Sequence, residues 1–453
     1  MMKDLQLIQN AWDLRTQLES IWRAGVLAVS PKELVVREIQ ENEELKNRIR
    51  LARRVILLGA GKAAREMAEG ALEALPTDKE TLGWIHVIDG QEREVGKAIS
   101  LVPVRPKSEN YPTERGMNAS QKMMDLANSA EEGDLGLVLL SGGASAMMPL
   151  PAQGIDLRDK LAVTKLLHAS GANITEMNAV RKQLSRIKGG GLAEAWSGDR
   201  KIESLWTLAI SDVVGGSADV IGSGPTVFNP ETAQDALGCL KRYALLDQVP
   251  PSVVRHLLER ENEKPKFLND YPWSRYVLVG DNSKALHAAR EKAGGLGWQT
   301  LVMGSSWEMD VGSMAEMMVG LVRNVLQDGL GGGPPLCVLM GGETNLKLGE
   351  NPGKGGRNQH LALLLNKAMN KPWMPRSAFL LGGTDGEDGP TESAGGFADM
   401  AAYSEMIAQK VDMGLASIKF SSHEALKKGG ALFSPGPTGT NVADLWIGLI
   451  RSC

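Results

Sequence analysis

The stretch "VILLGAGKAA", residues 55–64, decides the fold class. Four apolar residues lead into a glycine-rich turn, and a segment with helical spacing follows from Lys62 onward. A continuous apolar run of this length is typical of a strand that is buried on both faces. A buried strand that leads through a glycine turn into a helix predicts an α/β fold with a parallel sheet.

Five other segments follow the same pattern, in which an apolar run ends at a glycine-rich or acidic turn. They are "LVLLSGGASA" at 137–146, "LAISDVVGGS" at 208–217, "YVLVGDNSKA" at 276–285, "CVLMGGETN" at 337–345 and "FLLGGTDGEDG" at 379–389. Ligands of parallel sheets bind outside the carboxyl ends of the strands. Since the unusual residues follow the strands in every case, we expect the functional site at those ends.

Helical segments are predicted between these strands. Residues 62–75 and 178–187 have helical patterns, and the second carries basic residues and stops at three glycines. Residues 305–327 read as an amphipathic helix that opens with a serine cap.

The chain has 453 residues, which predicts two domains rather than one. The polar segment 259–272 is the expected boundary, and 328–335 is a second candidate. We therefore predict a Rossmann-like N-terminal α/β domain at residues 1–265. A C-terminal α/β domain at residues 266–453 would carry the "GGRNQ" and "GGTDGEDG" loops.

Composition excludes several classes of function. The net charge is −4 and no basic arm is present, so nucleic acid is not an expected partner. No apolar run approaches the roughly 20 residues of a membrane helix, so a membrane partner is not expected either. The three cysteines are far apart, which argues against a disulfide framework and a zinc cluster. We expect a cytoplasmic protein.

The "GAGKAA" turn allows two interpretations beyond a plain strand-to-helix connection. Gly59, Gly61 and Ala64 imitate a dinucleotide fingerprint, and Asp89 ends the next apolar run. The distance to Asp89 exceeds the usual spacing of about 20 residues, however. The alternative is an anion site, in which Lys62 and backbone N–H groups bind a phosphate.

Two further turns suggest anion binding and proton transfer. Backbone N–H groups of "SGGASA", residues 141–146, could hold a phosphate or carboxylate. Ser141 lies in no G-x-S-x-G motif, so a serine hydrolase is disfavoured. Asp212 ends a predicted strand and suits a metal ligand or a general base, although it could also cap a helix.

The C-terminal half carries a cation and crowded carboxylates. Arg357 follows the glycine loop "NPGKGG" at a predicted helix start, where it opposes the helix dipole unless an anion is bound. Glu343 ends one strand, and Asp385, Glu387 and Asp388 follow another. Such carboxylates repel each other unless a cation is present. This predicts a metal site, with a solvated acidic loop as the alternative.

Together, the anion-binding turns, the isolated cations and the strand-end carboxylates suit phosphoryl transfer. In that chemistry Mg²⁺ is held by carboxylates, backbone N–H groups hold phosphates, and Lys and Arg stabilise the developing charge. No histidine or cysteine lies in a motif for a nucleophile.

The sequence resembles the class II glycerate kinases over nearly its whole length. The resemblance rests on "GAGKAA", "LLSGGASA", "NAVRKQLSRIKGGGLA", "SDVVGGSADVIGSGPTV", "GGETNL", "GKGGRNQ", "GGTDGEDGPTESAGG" and "GPTGTNVADL". It implies ATP- and Mg²⁺-dependent phosphorylation of D-glycerate, with 2-phosphoglycerate as the usual product. It also implies two α/β domains whose mainly parallel sheets are flanked by helices, with the active site in the inter-domain cleft.

Site residues are assigned on the same motifs. The critical lysine and arginine of the family match Lys62 and Arg357, and Asp212 is the candidate base. Candidates for binding substrate or phosphate are Gly59, Gly61, Ser141, Gly142, Gly143, Ala144, Ser145, Asn358, Thr384 and Asp385. Candidate metal ligands are Asp212, Glu343 and Asp385. The family's usual SGGGSA has an alanine here, so Ala144 adds a methyl group to the expected phosphate-binding turn.

Two other functions stay open on the sequence. The glycine fingerprint with Asp89 would suit an NAD(P)H-dependent hydroxypyruvate reductase, although no histidine lies in a proton-donor motif. A sensor that binds a sugar acid or a nucleotide without turnover is compatible with the same fold. A homodimer is also possible.

Overall fold

The computed structural model describes residues 2–92, 94–96, 98–107, 111–197, 204–213, 215–216, 218–264, 273–349 and 351–451. Its contacts divide the chain into two compact units, Pro31–Val279 and Met1–Ser30 with Gly280–Cys453. The predicted boundary between residues 265 and 266 lies outside the described residues. The units differ from the predicted domains in that the first helix groups with the C-terminal half of the chain.

The unit Pro31–Val279 is built on a six-stranded sheet of order β3-β2-β1-β4-β5-β6. Its strands are β1 (Arg54–Ala60), β2 (Glu80–Ile88), β3 (Ile99–Arg105), β4 (Leu135–Leu140), β5 (Leu205–Ile210) and β6 (Ser274–Gly280). β1 pairs in parallel with both β2 and β4, β2 pairs in parallel with β3, and β4 with β5. This is the strand order of doubly wound folds, which bind ligands where the order reverses, here between β1 and β4.

Helices connect these strands. They are α2 (Pro31–Glu41), α3 (Glu43–Leu51), α4 (Ala64–Ala74), α5 (Glu114–Asn128), α6 (Ala144–Met147), α7 (Leu157–Ser170), α8 (Ile174–Gln183), α9 (Gly191–Trp196), α10 (Ala233–Arg242) and α11 (Pro251–Glu259). The core on one face of the sheet joins β1 and β4 to α5, α6 and α9, and its large buried side chains include Met123, Met147 and Trp196.

The other unit contains a sheet of order β11-β10-β9-β12-β8-β7. Its strands are β7 (Gln299–Asp310), β8 (Leu336–Asn345), β9 (Ser377–Gly383), β10 (Gly395–Ala398), β11 (Leu432–Phe433) and β12 (Asp444–Ile450). Its helices are α1 (Met2–Leu27), α12 (Asn282–Gly295), α13 (Val311–Asp328), α14 (Arg357–Lys367), α15 (Met400–Ala408), α16 (Met413–Ile418) and α17 (Ser422–Lys428). All six strands predicted from apolar runs are present as β1, β4, β5, β6, β8 and β9.

The second sheet is mixed, whereas the pairs described for the first sheet are parallel. β7 and β8 pair in parallel, whereas β12 runs antiparallel to both of its neighbours, β8 and β9. The first residue of β12, Asp444, therefore lies opposite Gly342 near the end of β8 and opposite Gly383 at the end of β9. An antiparallel strand thus begins where two strands of the opposite direction end.

The predicted helix over 305–327 is also corrected at its start. Residues up to Asp310 extend β7, and α13 begins only at Val311. The side chain of Asp310 accepts hydrogen bonds from the N–H groups of Gly312 and Ser313, so it is the N-cap in place of the expected serine. None of the helices in the described ranges combines the length and apolar character that crossing a bilayer requires.

A buried ion pair ties α1 to the C-terminal half of the chain. The Arg15 guanidinium donates to both carboxylate oxygens of Asp399, at 2.6 and 3.1 Å, and to the carbonyl of Gly430 at 2.8 Å. Asp399 also caps α15 through the N–H of Ala402. Both charged side chains are more than nine-tenths buried, so removal of one partner leaves the other charged and unsolvated.

We expect Arg15→Met to lower the free energy of unfolding by about 3–5 kcal/mol, the usual cost of breaking a buried pair from one side. Arg23→Met is the matched control on the same helix, since Arg23 forms an exposed pair with Glu19 and should cost only about 0.3–0.5 kcal/mol. Denaturant unfolding followed by circular dichroism measures both. Equal destabilisation by the two variants would contradict the role given to Arg15.

Candidate active site

The carboxyl ends of β1, β4 and β5 bring together Lys62, the "SGG" turn and Asp212. The N–H of Lys62 donates to the carbonyl of Gly142 at 2.9 Å, and the N–H of Ala63 donates to Ser141 Oγ at 3.0 Å. Ser141 is buried, whereas Lys62 is exposed at the rim of the turn. The two turns that the sequence singled out are therefore joined directly at the switch point of the sheet.

Two glycines allow this close approach. Gly61 has a φ of +134°, and a Cβ there would lie 2.2 Å from Ser141 Oγ. A Cβ on Gly142 would lie 2.1 Å from Asp212 Oδ2. Real Cβ atoms do not approach other atoms so closely, so any side chain at Gly142 would displace Asp212. Asp212 thus packs directly against the turn.

A second cation, Arg105, lies beside the turn and was not selected from the sequence. Its Nη2 atom is 3.5 Å from the position of a Cβ on Gly143, and Lys62 Cγ is 3.7 Å from the same position. Arg105 is 3% exposed, and burial lowers its pKa below the ordinary range of an arginine. It is the last residue of β3, so the rule that functional residues follow the strands could have found it.

Three other candidate binding residues of this unit lie in different surroundings. Gly59 lies inside β1, where a Cβ would meet the carbonyl of Leu139 at 2.8 Å, so this glycine serves strand packing. Ala144 is fully buried in the core, and its methyl group joins the hydrophobic cluster. Ser145 Oγ accepts a hydrogen bond from Arg181 at 2.6 Å.

In the other unit, Arg357 is held by two carboxylates. Its Nε donates to Asp444 Oδ2 at 2.8 Å, and its Nη1 donates to Glu343 Oε1. Burial lowers the pKa of Arg357, but Asp444 and Glu343 outweigh that effect, and the net pKa is raised. Arg357 is therefore a permanently charged group whose guanidinium is fixed in direction.

The sequence pattern did not point to Asp444. That pattern concerns residues that follow strands, whereas Asp444 is the first residue of a strand. Its side chain is 3% exposed. Glu343, a predicted metal ligand, faces Arg357 instead, with a side chain that is 44% exposed. The antiparallel sense of β12 explains the meeting of Asp444 with the ends of β8 and β9.

Asp388 supports the helix that carries Arg357. The formal N-cap of α14 is Gly356, which has no side chain to cap the helix, and Asp388 accepts from the N–H groups of Asn358 and Gln359 at 3.1 and 2.8 Å. Burial, reinforced by Asp444, raises the pKa of Asp388 to about 7, although the N–H donors oppose this shift. One of the crowded carboxylates is thus a structural cap.

Of three further candidate residues in this unit, two are buried and one is partly exposed. Thr384 is buried, and its hydroxyl donates to the carbonyl of Ala443, which fixes the loop to the start of β12. Asn358 is buried too, and its Oδ1 accepts from Trp446 Nε1 at 2.8 Å. Asp385 is half-buried, and its Oδ1 accepts from the N–H of Glu387.

The carboxylates near Arg357 limit how a metal ion could be held. In the part of the chain that the structure describes, no group of three or more His, Cys, Asp or Glu side chains could hold one. Mg²⁺ commonly uses only one or two protein carboxylates together with substrate phosphates and water. Asp385 and Asp444 offer such a pair, since an Oδ1 of each lies within 3.5 Å of the position of a Cβ on Gly383.

Residues that a reductase would need have other partners. Asp89, which would bind a ribose, pairs with Arg115 at 3.0 Å. His86 is buried against the carbonyl of Met147, and burial lowers its pKa to about 4. A histidine with that pKa is neutral at pH 7.

Comparisons with known proteins identify the family of this chain. Residues 17–258 match the model of a domain of unknown function, DUF4147, and residues 336–444 match the MOFRL family. Human glycerate kinase is 33% identical over 495 residues, with 97% of this chain and 93% of that protein covered. The chain belongs to the glycerate kinase family. The DUF4147 match contains Lys62, and the MOFRL match contains Arg357 and ends at Asp444.

Other members of the family are equally similar. The glycerate 2-kinase of Pyrococcus horikoshii is 33% identical over 404 residues, with 88% of each chain covered. The crystal structure of glycerate kinase from Thermotoga maritima superimposes with a TM-score of 0.84 at 32% identity. It covers 97% of this chain and 99% of its own. The two-domain α/β fold class is thereby confirmed.

The pKa of Asp388 generates a pH-dependent prediction. Because this pKa is raised above that of an unfolded aspartate, the folded state binds more protons between about pH 4 and pH 7, and stability falls as pH rises through that window. Asp388→Asn keeps an acceptor for α14 but does not ionise. The melting temperature of Asp388→Asn minus that of the wild type should therefore increase from pH 5 to pH 8.

Asp388→Ala is the comparison variant. It removes the acceptor from two buried N–H groups and should cost about 1–3 kcal/mol at both pH values. Thermal melts at the two pH values separate the effects. A difference between Asp388→Asn and the wild type that stays constant with pH would contradict the raised pKa.

Proposed function

We propose that this protein is a kinase that transfers the γ-phosphoryl group of ATP to D-glycerate and releases 2-phosphoglycerate and ADP. The observation that carries the proposal is the similarity to glycerate kinases over nearly the whole chain. The switch-point turn with Lys62, and Arg357 between two carboxylates, fit the chemistry. Kinases of this kind work by positioning and electrostatic stabilisation rather than by a protein nucleophile.

Lys62 and the turns around it are proposed to bind phosphate. The β1 and β4 turns meet at the reversal of strand order, and the ammonium of Lys62 is exposed there. Arg105 adds a second positive charge beside Gly143. Asp212, packed against Gly142, is proposed to accept the proton of the attacking hydroxyl.

Arg357 is proposed to stabilise the negative charge that develops on the transferred phosphoryl group. Its Nε and Nη1 donate hydrogen bonds to Asp444 and Glu343, and these bonds fix the direction of the guanidinium. A donor held in place before the reaction needs no reorganisation in the transition state. Glu343 is therefore assigned a positioning role rather than metal binding.

Mg²⁺ is part of the proposal. Asp385 and Asp444 are the carboxylates that would hold it together with the phosphates of ATP, and Asp212 remains a candidate on the other unit. When bound, the ion neutralises charge on the phosphoryl oxygens. The residues of the chain orient the groups around it.

The experiment that tests the function measures ADP release from Mg²⁺-ATP with and without D-glycerate. We expect ADP release that depends on D-glycerate. The alternative is measured in parallel as NADH oxidation by hydroxypyruvate without ATP. Reductase activity in the absence of glycerate-dependent ADP release would replace the kinase by a hydroxypyruvate reductase.

We expect Lys62→Ala and Arg357→Ala each to lower kcat by about 10²- to 10³-fold, the usual effect of losing one preorganised donor to a developing charge. The control is Lys165→Ala, since Lys165 is an exposed lysine on α7. Near wild-type turnover by either active-site variant, at saturating substrates, would remove that residue from the mechanism.

Asp444→Asn tests the fixed direction of Arg357. It keeps the size and one acceptor of the side chain but removes the charge, so the guanidinium should be held less firmly. We expect kcat to fall about 10-fold or more, within the range seen when a supporting partner is changed. The KM for D-glycerate should change less than kcat. An unchanged kcat would show that neither Arg357 nor Mg²⁺ binding needs the charge of Asp444.

A further inference from the structure

Three basic residues beside the "SGGASA" turn have no role in the function described so far. They are Lys160 on α7, Arg181 on α8 and Lys188 in the loop after α8, and we call them the basic cluster. Lys160 and Lys188 are 7% and 4% exposed, and Arg181 is half-buried. Three cations in one largely buried region need a physical explanation.

Ser145 connects the cluster to the turn at the end of β4. Arg181 Nη2 donates to Ser145 Oγ at 2.6 Å, and Lys188 Nζ donates to the same hydroxyl and to the Ser145 carbonyl at 2.8 Å. Ser223 Oγ lies 3.1 Å from Ser145 Oγ. Two cations therefore converge on one hydroxyl that follows the predicted anion-binding glycines.

Among the residues that the structure describes, the cluster has no carboxylate partner. Within the described ranges, no carboxylate lies at ion-pair distance from any of its three members, and Lys160 Nζ is buried without a hydrogen-bond partner. Burial and the neighbouring Arg181 lower the pKa of Lys160 to about 7, and burial, Arg181 and Lys160 lower that of Lys188 well below its ordinary value. Burial and the neighbouring cations act against the positive charge of both lysines, and Lys188 has hydrogen bonds to Ser145 and Ser223 that favour it.

Lys182, next to Arg181 in sequence, shows the contrast. It is equally buried, but its Nζ pairs with Asp219 at 2.8 Å and with Glu231 at 3.1 Å. The chain thus neutralises a buried lysine with two carboxylates where the role is structural. Buried charges without such partners are expensive, and an anion that binds among them removes the cost.

We propose that Lys160, Arg181 and Lys188, together with the Ser145 hydroxyl, bind the carboxylate of the D-glycerate substrate. This inference rests on the proposed kinase function and deepens it. The limited exposure of the cluster suits a compact oxyanion, and Arg181 can present two N–H groups to a carboxylate. Through Ser145, the cluster adjoins the turn next to Lys62, where the phosphate is proposed to bind.

Steady-state kinetics with D-glycerate and with its neutral amide, glyceramide, test the proposal. For Arg181→Met and Lys160→Met, we expect the KM for D-glycerate to rise about 10- to 100-fold, since hydrogen bonds to charged groups contribute this much. The KM for ATP should stay within a few-fold of wild type. The preference of kcat/KM for D-glycerate over glyceramide should fall, because the variants lack the charge that distinguishes the two.

Lys160→Met also allows a measurement that does not depend on enzyme activity, namely the melting temperature. Replacing an unpaired buried ammonium by an apolar side chain of similar length should keep or raise the melting temperature without ligand. D-glycerate alone should raise the melting temperature of the wild type, whereas this shift should shrink in the variant. Lys165→Met, on the same helix but exposed, is the matched control and should behave as wild type in every measurement.

Each alternative outcome overturns a defined part of the proposal. If the KM for ATP rises instead of that for D-glycerate, the cluster binds the nucleotide phosphates and the carboxylate assignment is wrong. If both variants keep wild-type KM values and substrate preference, the cluster binds neither substrate. If the wild type itself releases no ADP in response to D-glycerate, the proposed function fails, and the thermal shift with D-glycerate still tests the cluster.

Discussion

The antiparallel entry of β12 between β8 and β9 is the constraint on which the C-terminal site depends. Strands that run in one direction deliver their following residues to one edge of a sheet, and β8 and β9 deliver Glu343 and the acidic loop. A strand of the opposite direction brings its first residue to that edge, which here is Asp444. The carboxylates that hold Arg357 therefore come from two strand directions, and neither direction alone would assemble them.

Buried cations of this protein have two kinds of surroundings. Arg15 with Asp399 and Lys182 with its two carboxylates are closed ion pairs, and they are satisfied within the protein. In the described part of the chain, Lys188 donates to hydroxyl and carbonyl groups and Lys160 Nζ has no hydrogen-bond partner, so neither lysine is paired with a carboxylate there. Paired charges fix the structure, whereas an uncompensated group is stabilised when an anion arrives.

The sequence was sufficient for the features that depend on local pattern. Apolar runs ending in glycine turns located six strands, and the turns at Gly61 and Gly142 lie where ligands of doubly wound sheets bind. It was insufficient where distant segments decide the outcome. The order and direction of β12 are set by pairing across the sheet, so the partnership of Asp444 with Arg357 had no local signal. Likewise, the role of Asp388 as the cap of α14 depends on a contact between the acidic loop and the first turn of a helix about 30 residues earlier in the chain.

The most direct test of the central claim is phosphorus NMR of the products formed from Mg²⁺-ATP and D-glycerate. Glycerate kinase activity predicts a phosphomonoester whose phosphorus couples to the single proton on carbon 2, together with ADP in equal amount. Coupling to the two protons on carbon 3 would show that the other hydroxyl is the acceptor. The absence of any phosphomonoester, with ATP intact and an enzyme that is folded, would contradict the account.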